Sequence, residues 1–290
     1  MFTDTRKMLN DAMRGGYAVG AFNFENMEMA LAIVRAAEKM RSPAILQTTP
    51  STVRYASLRM FSDIAEAAAE SVSVPIALHL DHGDSKELCF AAAKAGYSSV
   101  MIDASRLPLE ENIAEVSEVT SFCRKTGIPV EAELGRVGGK EDSLSVKEDI
   151  YTDPGEACAF VEETGISSLA VAIGTAHGVY HGTPVLDVGR LSEIREALER
   201  KGLLIPLVLH GASGLSDEAV RDCVSRGICK VNFATELRQA YTSAVRETLA
   251  GDGGIFDPKK YGKPATEAVG RLVAGRVGVL GSAGKAKEIR

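Results

Sequence analysis

The chain holds five histidines in 290 residues, and three of them stand where apolar runs end. His82 closes PIALHLDH (75–82), directly after Asp81; His177 follows SSLAVAIGT (167–175); His210 lies in PLVLHGAS (206–213). Imidazoles held by rigid elements suit a catalytic zinc ion, which takes three protein ligands and keeps a fourth position open. Cobalt and manganese accept the same donors. Any one of these histidines could serve only as a hydrogen-bonded structural residue, but three at equivalent strand ends in a histidine-poor chain point to a metal. Strand alternation turns His79 to the face opposite His82, as a packed or supporting residue. His181, in the loop after His177, reads as a surface residue.

Other polar residues sit at the same strand ends. Asp81 adjoins a proposed ligand and could either support it or exchange a proton with a substrate. Asp103 ends SSVMID (98–103) and Glu133 lies in PVEAEL (129–134). Each could hold a ligand ring, coordinate the ion in its place, or be a buried structural carboxylate. AHG (176–178), HGAS (210–213) and NFAT (232–235) bring small residues, hydroxyls and free amides to strand ends. That is either ordinary turn and cap chemistry or a phosphate cradle, with a helix opening after Ala234 aimed at the anion.

The elements that would carry these residues alternate along the whole chain. Eight apolar runs read as strands buried on both faces: 18–24, 43–49, 75–82, 98–103, 129–134, 167–175, 206–213 and 229–235. Amphipathic stretches follow each of them, several opening on Ser or Asp and closing on Gly. This pattern predicts an α/β fold, a single (β/α)8 TIM barrel over residues 1–290 with a C-terminal helix. A doubly wound open sheet is the alternative, but no G-x-G-x-x-G follows the first strand. Two βα connections are long, GRVGGKEDSLSVKEDIYTD and AHGVYHGTPVL. Both leave the strand ends where barrel active sites form, and the Gly-Gly segment suits a mobile lid. A metal, a phosphate cradle, carboxylates and a lid together suggest chemistry beside the carbonyl of a phosphorylated small molecule.

Composition narrows the setting. A net charge of −6 argues against nucleic acid as a partner. No signal-like leader and no apolar run long enough for a membrane span is present. The five cysteines are scattered without a C-x-x-C pair, so they read as packing residues of a reduced, cytoplasmic protein.

Six segments, HLDHG, VMIDASRLPLEENI, VEAELGRVGGKED, VAIGTAHGVYHGTP, PLVLHGASGL and KVNFATELR, together resemble the class II, zinc-dependent ketose-bisphosphate aldolases. The resemblance runs from about residue 5 to GSAGK near the end, in family order. It implies Zn2+, one per subunit, on His82, His177 and His210, and allows a monovalent cation nearby. It implies that Asp81 exchanges a proton with the substrate C4 hydroxyl, that Glu141 of the Gly-Gly loop moves the proton at C3, and that Asn232 helps hold the enediolate. Gly178, Gly211, Ala212, Ser213, Phe233, Ala234 and Thr235, with Lys230 nearby, correspond to the region that binds the dihydroxyacetone phosphate group. Arg238 matches an arginine that reaches the distal phosphate across a subunit interface, which implies a homodimer or homotetramer.

The implied reaction is retro-aldol cleavage of a ketose 1,6-bisphosphate to dihydroxyacetone phosphate and glyceraldehyde 3-phosphate. Ala234 stands where fructose-specific members often carry an acidic residue, so the sequence leans to tagatose 1,6-bisphosphate, with fructose 1,6-bisphosphate or dual specificity as the rival. A zinc hydrolase, a Schiff-base aldolase using Lys230 and a non-catalytic relative are the readings from other classes.

Overall fold

The computed structural model describes residues 1–141, 144–146, 151–178 and 184–286, with backbone alone for 139–141 and 144–146. The chain opens with helix α1 (Thr5–Gly15), then strand β1 (Val19–Asn23), helix α2 (Met27–Met40) and strand β2 (Ala44–Thr48). Helices α3 (Pro50–Tyr55) and α4 (Leu58–Glu70) lead to β3 (Ile76–Gly83), α5 (Lys86–Lys94), β4 (Ser99–Ile102) and α6 (Leu109–Arg124). After β5 (Val130–Leu134) come two short strands, β6 (Gly138–Glu141) and β7 (Leu144–Val146), and helix α7 (Pro154–Thr164). Strands β8 (Ser168–Val171) and β9 (Ala176–His177) precede α8 (Val188–Arg200), β10 (Leu207–Leu209) and α9 (Asp217–Ser225). The chain finishes on β11 (Ile228–Phe233), α10 (Thr235–Gly251) and α11 (Pro258–Val279).

Eight of these strands, all parallel, close into a barrel in the order β1-β11-β10-β8-β5-β4-β3-β2. Each coincides with one of the eight apolar runs, so the predicted TIM barrel with its C-terminal helix is the observed fold. The helices start where the sequence supplies caps: Asn26, Ser57, Ser85, Asp153, Asp187, Ser216 and Asp257 each accept a backbone N–H of the first turn. Gly16 and Gly165 end α1 and α7 in the left-handed conformation that favours glycine.

Apolar packing divides in two. The larger layer lies between strands and helices and includes Phe22, Leu46, Leu78, Leu80, Ile102, Leu169 and Phe233. Phe22 and Phe233 stack at 5.6 Å between centroids. The second cluster plugs the barrel floor: Met8, Leu9 and Ala12 of α1 meet Val19, Ala21, Ile45 and Ala77 of the strands. At about 1.5–3 kcal/mol for each fully buried large aliphatic side chain, this plug seals the end away from the mouth. No described helix is long and apolar enough to cross a membrane.

Above the plug the interior turns polar. Asn23, Gln47, His79 and Ser99 occupy one row of register partners across β1 to β4. All four are buried. Barrel strands are tilted, so such a row climbs from floor to mouth. Its low end reaches α1, where the Thr5 hydroxyl donates to Ser99 Oγ at 3.0 Å.

Candidate active site

The end of β3 does not keep regular alternation. Its register with β4 shifts between Leu80 and Gly83, and His82 has a φ of +48°. A non-glycine residue in that region costs about 1–3 kcal/mol and persists only where the surroundings enforce it. Here a Cβ on Gly83 would stand 2.5 Å from the Met101 carbonyl oxygen and 2.7 Å from Cys89 Sγ, so the residue after His82 must be glycine. The irregularity brings both Asp81 and His82 to the mouth. The expectation that His79 and His82 face opposite sides is therefore corrected: both lie inside the barrel, with His79 lower, accepting from or donating to Ser99 Oγ at 2.8 Å. Burial, and then the nearby Lys230 charge, push the His79 pKa well below the usual imidazole value.

His82, His177 and His210 converge. One ligand atom from each lies within 4.8 Å of the others. Their ring centroids are 4.6 Å (His82–His210), 5.0 Å (His82–His177) and 6.0 Å (His177–His210) apart. His82 and His210 are buried and His177 is half-buried, as a site open on one side requires. Carboxylates fix two of the rings. Asp103 Oδ2 lies 2.8 Å from His82 Nδ1, while His210 has Glu133 Oε2 at 2.9 Å from Nδ1 and Glu131 Oε1 at 3.0 Å from Nε2. The Asp103 and Glu133 carboxylates also form, with His82, a second group whose ligand atoms lie within 4.8 Å of one another. The donor set, three neutral-capable imidazoles each from a different strand end with carboxylates behind them, fits a zinc ion.

The electrostatics follow the same contacts. Burial alone would raise the Asp103 carboxyl, but the His82 hydrogen bond and charge, with bonds from Ser105, outweigh it and hold it well below the usual range. For His210, burial and the His82 charge push the pKa down, yet the bonds to Glu131 and Glu133 lift it to about 9.

Asp81 sits beside this centre, with Oδ1 3.9 Å from His82 Nε2. Three side-chain amides donate to its carboxylate: Asn232 Nδ2 at 2.9 Å, Gln47 Nε2 at 3.1 Å and Asn23 Nδ2 at 3.2 Å. Gln47 also donates to Asn23 Oδ1 at 2.7 Å, which ties the cage together. Sequence reasoning missed Asn23 and Gln47. The signal was available, since each is an amide inside an otherwise apolar strand run, a placement that requires a buried partner.

The proposed phosphate corner assembles around the same mouth. Gly211 has a φ of +66°, and a Cβ there would lie 2.6 Å from the Ala176 carbonyl oxygen, so the turn after β10 packs against β9. Gly178 also has a positive φ, of 93°. Ser213 Oγ accepts the Ala234 N–H at 3.3 Å, joining the β10 and β11 turns. No side chain caps α10, which begins at Thr235 after Ala234. Ala212 and Phe233 are fully buried, and the Phe233 ring is in the helical layer against Phe22, so only its backbone can serve a ligand. Lys230 departs from expectation: it is fully buried, with Nζ 2.9 and 3.0 Å from the two oxygens of Glu131. It stands two residues below Asn232 on β11, beneath the site rather than at its rim. Arg238 is on the rim, its guanidinium 2.6 Å from Glu25.

The segment after β5 returns as a hairpin. β6 runs antiparallel to β7 and parallel to β9, with Gly138 opposite Ala176 and Gly139 opposite His177. Glu141 ends β6, opposite Leu144, and its side chain lies outside the described residues, as does all of His181.

A closed (β/α)8 barrel with three imidazoles gathered at its mouth, beside a caged carboxylate, is the frame of a metal-dependent barrel enzyme. The family model described as "Fructose-bisphosphate aldolase class-II" matches residues 3–285, and the chain belongs to that family. It is accordingly a class II aldolase, a carbon–carbon lyase, of a family that uses zinc. Among solved structures it is similar to the YdjI aldolase from Escherichia coli K12, at 39% identity over 99% of this chain and 100% of that one, with a TM-score of 0.87. A candidate fructose-1,6-bisphosphate aldolase from Coccidioides immitis is 35% identical over 97% and 96% of the two chains, with a TM-score of 0.88. The Campylobacter jejuni fructose-bisphosphate aldolase, 23% identical over 98% and 97% with a TM-score of 0.85, shares the fold.

Proposed function

We propose that this enzyme cleaves a ketose 1,6-bisphosphate, preferentially tagatose 1,6-bisphosphate, to dihydroxyacetone phosphate and glyceraldehyde 3-phosphate. The observation that carries the reading is the convergence of His82, His177 and His210 beside Asp81. Asp81 takes the C4 hydroxyl proton; its carboxylate is already aimed by Asn23, Gln47 and Asn232. The C3–C4 bond then breaks, C4 leaves as the aldehyde and the electron pair stays with the three-carbon fragment. A divalent ion on the three imidazoles supplies Lewis-acid stabilisation for that charge. Asn232 adds a preorganised polar group. Glu141 returns a proton to C3, from a strand whose neighbour carries His177.

Gly178, Gly211, Ala212, Ser213, Thr235 and the backbone of Phe233 and Ala234 hold the dihydroxyacetone phosphate group. The uncapped N-terminus of α10 supports this assignment, because its first amides and dipole favour an anion. Arg238 serves the distal phosphate at the interface of a homodimer or homotetramer. Ala234, in place of a carboxylate, underlies the tagatose preference. Fructose 1,6-bisphosphate is the second reading, favoured by the 35% identity to the candidate fructose-1,6-bisphosphate aldolase of Coccidioides immitis. Five buried cysteines without a disulfide suit a reducing cytoplasm.

The test is cleavage of the two C4 epimers side by side, with and without a chelator. The proposal expects chelator-sensitive turnover with the higher kcat/KM on the tagatose epimer. Equal or greater kcat/KM on the fructose epimer would remove the preference, and undiminished turnover after complete metal removal would remove the mechanism.

A further inference from the structure

We infer that Lys230 is a positioning residue for the metal ligand His210, acting through Glu131. The inference rests on His210 being a ligand, as proposed above. Lys230 is fully buried and Glu131 is 2% exposed, so both charges have left water. Desolvating such ions costs several kcal/mol each, and well-packed apolar residues would fill the same layer as well or better. The pair therefore calls for a use beyond filling the barrel.

Its geometry supplies one. Lys230 Nζ meets both carboxylate oxygens of Glu131, at 3.0 Å for Oε1 and 2.9 Å for Oε2. A two-point grip leaves the carboxylate little freedom to turn. Glu131 Oε1 is also 3.0 Å from His210 Nε2, so the grip is passed to the ring. The remaining neighbours of Glu131 hold it weakly: Ser168 Oγ donates at 3.4 Å, and His79 Nε2 stands off at 3.9 Å. With Nε2 held by Glu131, Nδ1 is the ring nitrogen left for an ion, which would replace the proton it shares with Glu133, and the plane of the ring is set from below. Lys230 cannot reach the mouth itself, since Asn232 occupies the next inward position of β11 above it. Without the ammonium, Glu131 is free to rotate toward Ser168 or His79, and His210 loses its fixed edge.

The test uses the full-length protein carrying Lys230→Met or, separately, Glu131→Gln. Zinc affinity is measured by competition with a chromophoric chelator, and ligand geometry by the visible spectrum after cobalt(II) substitution, both well below the melting temperature of each metal-free variant. Zinc affinity should fall about 10- to 100-fold, the usual loss for a group that orients a metal-bound histidine, and the cobalt bands should shift. Wild-type zinc affinity with an unchanged cobalt spectrum overturns the inference, whatever the change in melting temperature. Glu131→Gln is isosteric and decides the matter should Lys230→Met not fold. His210→Ala separates the two readings. Wild-type zinc affinity in that variant removes the ligand assignment, whereas lost affinity there with wild-type behaviour in the other two removes only the role of Lys230.

Discussion

Asp81→Asn separates the chemistry of Asp81 from its structural role, because the structure allows the amide to be accommodated. The carboxylate accepts from Gln47 and Asn23 at Oδ2 and from Asn232 at Oδ1. An asparagine can keep its oxygen toward Gln47 and Asn23 and turn its NH2 toward Asn232. That amide can flip, because its own Oδ1 is buried without a hydrogen-bond partner. The three bonds survive as neutral ones, but the flip leaves the Asn232 NH2 without an acceptor, so the net stability change is about 1–3 kcal/mol. For a chain of this size each kcal/mol corresponds to a melting shift of about 2–4 °C. Asp81→Ala would instead strand three buried donors, at about 1–3 kcal/mol each, and confuse folding with chemistry. Metal retention should be unaffected, because the imidazoles and their carboxylate supports remain. Loss of the general base should lower kcat/KM by about 10²–10⁴-fold. The assay is a coupled measurement of dihydroxyacetone phosphate release, alongside zinc content and thermal melting of the same preparation. Cleavage within tenfold of wild type, at full zinc content, would refute the assignment of Asp81 as the base.

Gly211→Ala should destabilise the metal-free protein by about 1–3 kcal/mol, the cost of a strained left-handed residue, with a new Cβ 2.6 Å from the Ala176 carbonyl oxygen. A lowered denaturant midpoint and weakened zinc binding through displacement of the adjoining His177 are the checks; unchanged values would show that the turn after β10 is slack. All five cysteines are buried. Burial raises the thiol pKa of Cys223 to about 12 and of Cys123 and Cys229 to about 11. At pH 8 a disulfide thiol reagent should therefore label none of the five in the native protein and all five after denaturation; rapid labelling of a native thiol would contradict the packing.

The fold was legible because parallel barrel strands, covered on both sides, appear as apolar runs that no other element breaks. Helices α1 and α3 were not. The apolar face of α1, Met8, Leu9 and Ala12, spans little more than a turn, and its purpose is visible only once the barrel floor exists to receive it. Helix α3 has six residues, too few for a periodic pattern. The three histidines and Asp81 could be read because strand ends in a barrel share one mouth. The relation of His79 to His82 could not, because a register shift overrides alternation, and only Gly83 hinted at it. Lys230 and Phe233 were assigned to the ligand by motif, although alternation from Asn232 places one inside and lower and the other outside. The cage around Asp81 required knowing which strands are neighbours. Asn23 and Gln47 are register partners on β1 and β2, whereas Asn232 comes from the far end of the chain.

In the proposed mechanism His82, His177 and His210 grip one divalent ion. X-ray absorption spectroscopy at the zinc edge, on protein loaded with one equivalent, reads that ligand set. The expected spectrum has a first shell of nitrogen and oxygen at about 2.0–2.1 Å with the outer scattering of three imidazoles and no sulfur, and it loses one imidazole's scattering in each single His→Ala variant that still holds metal. A shell containing sulfur at about 2.3 Å, or one that keeps three imidazoles when any of these residues is replaced, would contradict it.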